Sequence, residues 1–304
     1  MKIRIREVHF NSQIYMHSAY SNSLIIIFII LMSSGAFLRF IAYATTPEVP
    51  DDKGVIVYNY NGVQRKVYNP LFVAIGGLKY YSEYEDHGDK QSKQYFINTA
   101  DWLINNAKDK GEYSLWEYDF PWSFYGWISP PYSSALAQAQ GLKVLVLAHN
   151  LTGNEKYLNE ANKTLHSFLI DYDEGGVVSN EEDGTGEGES STFLHLLAKP
   201  GFKKLYPLNG HTQSLLLLWD YYQQTQDPLV KTIFDKGIKW LRDNLWKYDT
   251  GSWSYYDQME NLASTDYHTA QIAQLRNLYE ITGEYTLKEY SDRFDKYKRS
   301  QPLD

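Results

Sequence analysis

The chain has 304 residues and a formal net charge of −8, so it can hold one large domain or two small ones and lacks the basic face that nucleic acid requires. It contains no cysteine, which excludes a disulfide framework, a thiolate nucleophile and a cysteine-based zinc site. Its 27 tyrosines and 8 tryptophans supply rings with polar tips, suited either to an aromatic core or to a sugar cleft, which must be apolar and hydrogen-bonding at once.

Residues 1–22 form a segment carrying Lys2, Arg4 and Arg6, and SLIIIFIILMSSGAFL at 23–38 is a continuous uncharged apolar run. Arg39 interrupts it, and Ala42-Tyr43-Ala44 has the A-x-A form of a signal cleavage site. The run is short for a membrane span of about 20 residues and becomes sufficient if Arg39 snorkels to the interface. The basic flank predicts a signal-anchor over 23–44 with its N-terminus inside, giving a single-pass, membrane-anchored protein whose remainder is exported. Secretion after cleavage is the alternative, and a buried helix of a soluble domain is the structural one. Residues 45–65 read as a linker. Within TTPEVPDDKGVIVYNYNGVQRKVYNP, the alternation around Asn61-Gly62 predicts a small β-hairpin.

From residue 66 to 304 the chain reads as one all-α domain. Apolar residues recur at helical spacing over 70–84, 133–151, 208–223 and 269–281. Each segment is followed by a turn and a second helical stretch, at 87–106, 151–170, 225–245 and 281–300. Asp89, Asn154 and Asp227 stand at or near the start of the second helix in the first three copies. Four such pairs predict an array of helical hairpins, an α/α toroid in the form of an incomplete barrel, with the longer connecting loops gathered at one end.

Those loops hold the candidate chemistry. WEYDFPWSFYGWISPPYSS at 116–134 carries Trp116, Tyr118, Trp122, Tyr125, Trp127 and Tyr132, a set expected to form a sugar-stacking platform, with a packed loop plug as the alternative. DYDEGGVVSNEEDGTGEGES at 171–190 has eight acidic residues and no basic one. It matches no calcium-loop spacing and is expected to be a solvated loop. In YPLNGH at 206–211, Asn209 and Gly210 begin a helix, which is either an anion site on free N–H groups or a plain helix start. YDTGSWSYYD at 248–257 and DYHT at 266–269 cluster phenols with carboxylates at helix ends.

Taken in order, YNPL, WISPPYSSALAQAQ, LNGH, YDTGSWSYYD and DYHTAQIAQL resemble the C-terminal catalytic domain of the D-glucuronyl C5-epimerases over residues 66–300. The resemblance implies an α/α toroid that inverts C5 of glucuronate residues within a polysaccharide or glycan to give iduronate, with no cofactor and no metal. It also implies roles. Tyr256 and Tyr267 match the two proton-transfer tyrosines, expected to oppose one another across the sugar. Asn209 matches a substrate-contacting asparagine, and His268 follows the second tyrosine as in the family. Gln138 and Gln140 of the LAQAQ stretch, Trp127 and Tyr206 are further candidates for sugar contact.

Two family residues are replaced. Where the family has Glu-Glu-Tyr-Pro before LNG, this chain has Leu197, Ala198, Lys199 and Pro200. Glu187 or Glu189 is the candidate replacement for the missing carboxylate, with Glu189 taken as the acid/base group. Met259 stands where the family has an arginine suited to grip the uronate, leaving Lys199, Lys203 or Lys204 as a point charge. The expected partners are a glucuronate-containing glycan, the membrane and a second copy of the chain in a homodimer. A polysaccharide lyase on a similar toroid and a catalytically degenerate glycan-binding protein are the alternatives.

Overall fold

The computed structural model describes residues 49–59, 66–122, 128–181 and 190–300. The basic and apolar segments before residue 49, the Asn61-Gly62 turn, Trp127, Glu187 and Glu189 lie outside the described residues. Among the described residues no helix is long and apolar enough to cross a membrane.

The chain enters through three short antiparallel strands, β1 (Val49–Pro50), β2 (Ile56–Asn59) and β3 (Lys66–Val67), paired in that order. Tyr58 lies opposite Val67 and Asn59 opposite Lys66, whereas a two-residue turn at Asn61-Gly62 would set Tyr58 opposite Arg65; the strands pair as expected, in a register shifted by two residues. Four helical hairpins follow: α1 (Pro70–His87) with α2 (Lys90–Asn106), α3 (Ala135–Thr152) with α4 (Lys156–Leu165), α5 (Leu208–Thr225) with α6 (Pro228–Asn244), and α7 (Thr265–Thr282) with α8 (Tyr285–Ser300). The first helix of each pair packs on the first helix of the next, α1 on α3, α3 on α5 and α5 on α7. Among the described residues no comparable interface joins α7 back to α1, so the hairpins form an open arc.

Position in the arc explains the sequence patterns. The inner helix α3 is buried on every side from Ala135 to Ala148, and alanine, leucine and valine fill most of that run, with Gln138, Gln140 and Lys143 as its buried polar residues. The outer helix α6 instead buries a stripe of Val230, Ile233, Phe234, Ile238 and Leu241, at the spacing of one helical face. Asp227 caps it by accepting from Leu229 N, and Pro228 stands in the first turn, where its missing N–H costs nothing.

The two ends of the arc differ. At one end each inner helix closes on a left-handed residue, Gly88, Gly153, Gln226 or Gly283, whose N–H donates to Tyr84, His149, Tyr222 or Tyr279 respectively. The outer helix starts within three residues of that closure. All inner helices therefore begin at the opposite end, and there the long connections collect. They hold two small hairpins, β4 (Lys108–Asp109) with β5 (Ser114–Leu115), and β6 (Val178–Glu181) with β7 (Ser191–Leu194).

Two loop expectations change here. The stretch 171–190 is not all solvated loop, because Val178 and Ser179 are buried and Val178–Glu181 pair antiparallel with Ser191–Leu194. The acidic tip of that hairpin, 182–189, lies outside the described residues. The 116–134 loop is a plug rather than a platform over its described part. Tyr118 pairs with Tyr132 through their backbones, and their rings stack at 4.7 Å. Trp116 is buried against α3, where a Cβ on Gly141 would stand 2.2 Å from its ring.

Candidate active site

The starts of α5 and α7 lie side by side at the loop end. Thr212 Oγ1 donates to Gln274 Oε1 at 2.7 Å, and Gln274 Nε2 donates to Gln213 Oε1 at 3.1 Å, riveting α5 to α7 within buried surroundings. The segment before α7 closes over the start of α5. Leu208 N donates to Tyr256 O at 3.0 Å, and Gln258 N donates to Leu205 O at 3.3 Å. Asp257 shapes the turn, accepting from Met259 N at 2.9 Å and from Asn261 Nδ2 at 3.0 Å. In contrast to α1, α3 and α7, α5 has no side-chain cap. Asn209, in its first turn, is 2 % exposed, and its Oδ1 has no hydrogen-bond partner among the described residues.

Tyr256 and Tyr267 meet beside this start. Their ring centroids are 4.7 Å apart, tilted by 58°, with their hydroxyls within hydrogen-bond reach of each other. The expected arrangement, two phenols opposed across a sugar, is therefore absent. Ser264 caps α7 through Tyr267 N, which places Tyr267 in the first turn of the helix that its neighbour Tyr256 abuts. Tyr256 is buried, and desolvation, followed by the adjacent Tyr267, raises its pKa well above the usual phenol value. Tyr267 is half-buried; desolvation pushes its pKa up to about 12, while the hydrogen bond from Tyr256 favours its ionised form. Tyr267 is therefore a neutral phenol at neutral pH, and a phenolate formed there would accept a hydrogen bond from Tyr256.

The family model for the D-glucuronyl C5-epimerase C-terminus matches residues 109–296, a span that holds α5, α7 and both phenols. The chain belongs to this family. A D-glucuronyl C5-epimerase of Caenorhabditis elegans is 29% identical over 228 residues, covering 68% of this chain and 35% of that protein. The chain thus spans about a third of that relative's length. An uncharacterised protein of Methanocaldococcus jannaschii is 27% identical over 248 residues, 78% of this chain and 79% of its own. Among solved structures, the cellobiose 2-epimerase from Spirochaeta thermophila superposes with a TM-score of 0.57 at 11% identity, over 78% of this chain and 60% of that one. That likeness concerns the fold, and it agrees with an arc of α/α hairpins. Membership of the D-glucuronyl C5-epimerase family supports a carbohydrate epimerase.

Several of the candidate residues have other tasks here. His268 is fully buried and spends both ring nitrogens internally, Nδ1 on Ser254 Oγ at 2.6 Å and Nε2 on Phe294 O at 3.0 Å. Its ring stacks on Trp253 at 3.6 Å, so it anchors the 249–264 loop to α7 and α8 and does not reach a sugar. Gln138 clamps Trp116, accepting from its N–H at 2.9 Å and donating to its carbonyl at 3.0 Å. Gln140 is 1 % exposed with an unpartnered Nε2, on the α3 side of α5. Lys199 donates to Ser129 O at 2.6 Å and Ser129 Oγ at 2.9 Å, which ties two loops together. Lys204 pairs with Asp173 at 2.9 Å. Met259 is exposed at the arginine position of the family pattern.

Tyr206 stays at the site, half-buried, and its backbone adopts a left-handed conformation with φ of 54°. Its carbonyl accepts from Tyr248 Oη at 2.6 Å, and its ring stacks over Trp240 at 6.0 Å. Two residues beside it went unnoticed in the sequence: Ser179, within hydrogen-bond reach of the Tyr206 phenol, and His195, whose Nε2 lies 2.8 Å from Ser179 Oγ. Ser179 pairs with Phe193, which sets Ser179 and His195 on one face of the hairpin; both faces of Ser191–Leu194 are buried, so no alternation in the sequence marked that face.

Proposed function

We propose that the protein is a C5-epimerase of uronate residues in a glycan chain, converting glucuronate to iduronate. The supporting observation is the pair of Tyr256 and Tyr267, their hydroxyls within hydrogen-bond reach, beside the unpartnered amide oxygen of Asn209, at the paired starts of α5 and α7. The hydrogen at C5 of a uronate is α to the carboxylate, and its removal needs a strong base held close. A phenolate whose conjugate acid has a pKa of about 12 is such a base. Burial makes it rare at neutral pH, and the hydrogen bond from Tyr256 makes its formation cheaper than burial alone would allow. Asn209 Oδ1 would accept from a sugar hydroxyl, and the free N–H groups of the uncapped α5 favour the uronate carboxylate. The apolar run at 23–38 supports placing this domain outside a membrane, where long glycans are accessible.

The test uses the full chain. A glucuronate-containing polysaccharide is incubated with it in heavy water, and C5 is followed by NMR. Deuterium at C5 together with iduronate signals is the expected result. An unsaturated uronate chromophore would assign a lyase, in which the same abstraction ends in loss of the C4 substituent. Binding with neither outcome would leave a glycan-binding module.

A further inference from the structure

Inversion needs proton transfer on both faces of C5. Tyr256 and Tyr267 touch, so they supply one face only. The other face must be served from elsewhere, and the family carboxylate position is occupied here by the 197–200 stretch of leucine, alanine, lysine and proline.

We infer that Tyr206, backed by Ser179 and His195, is the second proton-transfer group of this site; the inference rests on the epimerase reading above. Three observations place it there. First, the segment 205–208 runs alongside 256–258 through the Leu208–Tyr256 and Gln258–Leu205 backbone bonds, so Tyr206 and the phenol pair serve the same helix start. Second, they approach it from different sides. Tyr256 and Tyr267 belong to the α7 side, whereas the Tyr206 ring packs on Phe193 and His195 of the β6–β7 hairpin, which lies against α6 and is tied to the start of α3 by Ala135 N donating to His195 O at 2.8 Å and by the Ser133–Ala198 bridge.

Third, the Tyr206 phenol is backed by a built chain of donors. Burial keeps His195 neutral, with its pKa down to about 3. In the tautomer with a proton on Nε2, His195 donates to Ser179 Oγ and Ser179 donates onward to the Tyr206 oxygen, as a developing phenolate requires. The charged groups facing that phenol are Glu181, Lys204 and Asp171; Lys204 favours the phenolate and the two carboxylates oppose it. The ring is fixed by Phe193 at 4.8 Å and His195 at 5.2 Å, and the positive φ of Tyr206 is the kind of backbone strain that packing of this density sustains.

The proton count balances. The Tyr267 phenolate takes the C5 proton, leaving a carbanion stabilised by the adjacent carboxylate. Tyr206 gives its phenolic proton to C5 on the opposite face and becomes a phenolate. Water returns one proton to Tyr206 and removes one from Tyr267. In the reverse direction the two exchange roles.

The experiment compares C5 deuterium exchange and inversion, starting separately from glucuronate-rich and iduronate-rich polymer, for wild type, Tyr206→Phe and Ser179→Ala. Inversion by wild type establishes the epimerase reading on its own. Tyr206→Phe is then expected to lose inversion by about 10²- to 10⁴-fold while keeping exchange of the one epimer that Tyr267 deprotonates. Ser179→Ala is expected to slow, by about tenfold, the exchange of the other epimer only. Inversion by Tyr206→Phe close to the wild-type rate overturns the inference, as does an equal loss of exchange from both epimers. If Tyr206→Phe does not fold, Ser179→Ala decides: an even effect on both epimers, or none, overturns it.

Discussion

The two ends of the arc are made of the same helices and obey different rules. At the turn end one device is used four times, a left-handed residue donating to the carbonyl four positions back. It is compact and satisfies the backbone at little cost. At the loop end the connections share no pattern, and the unusual features accumulate there: Tyr206 in a left-handed conformation, unpartnered buried atoms on Gln140, Asn209 and Gln213, and a buried phenol pair. A buried polar atom without a partner costs about 1–3 kcal/mol, and the uniform, well-packed hairpins below offset it. The frame is repetitive so that one end can be irregular.

If that division is right, changes at the two ends separate activity from stability. Tyr267→Phe has the largest expected effect, a loss of C5 exchange by about 10²- to 10⁴-fold with a stability loss of no more than about 1–3 kcal/mol from the buried Tyr256 hydroxyl left without its partner; a larger drop in stability would break the comparison. Acid should act on the loop end next. Burial holds His195 and His211 to pKa values of about 3, against about 6.5 when unfolded. Because the folded values are the lower ones, the stability they contribute is complete above pH ~6.5 and is lost as pH falls toward ~3. Urea midpoints measured at falling pH should show this, and His195→Gln should flatten the slope. A flat wild-type profile over that window would refute it.

Leu278→Ala, in the buried body of α7, should cost about 3 kcal/mol in a denaturant titration. The fraction that stays folded at low temperature should keep its turnover. The smallest change is Gln226→Gly at the turn end. The residue already sits at φ of 55°, so glycine should raise stability by about 1 kcal/mol without touching activity. The same substitution at Tyr206, also left-handed, would relieve the backbone and remove the phenol. Opposite functional outcomes at two left-handed residues would sharpen the contrast most.

The frame was legible because its determinants are local. Asp89 and Asp227 cap the helices they were expected to cap, and Asn154 accepts from Lys156 N at 3.1 Å at the start of α4. The site was legible only as residue types. Motif order put Tyr256 and Tyr267 together, but their contact depends on how the 249–264 loop folds back over α5, which no spacing encodes. Gln138 and His268 misled for one physical reason: a buried amide or imidazole must spend its hydrogen bonds somewhere, and both spend them on neighbouring loops. The aromatic loop misled because ring density does not reveal which way backbone pairing turns the rings.

An arc, unlike a closed ring, has flanks. On the flank of α7 away from α5, Thr269, Arg276 and Glu280 face solvent, so among the described residues the α7–α8 hairpin has an inner-helix neighbour on one side only. A stack of repeats frays from such a margin. Tyr267 rides on this hairpin, moored by Arg293 and Tyr297 of α8 holding Asp249 at 2.8 Å and 3.0 Å. Heating should therefore part the phenols by local opening before the body melts, and amide exchange in α7 and α8 should outpace that in α3 and α5.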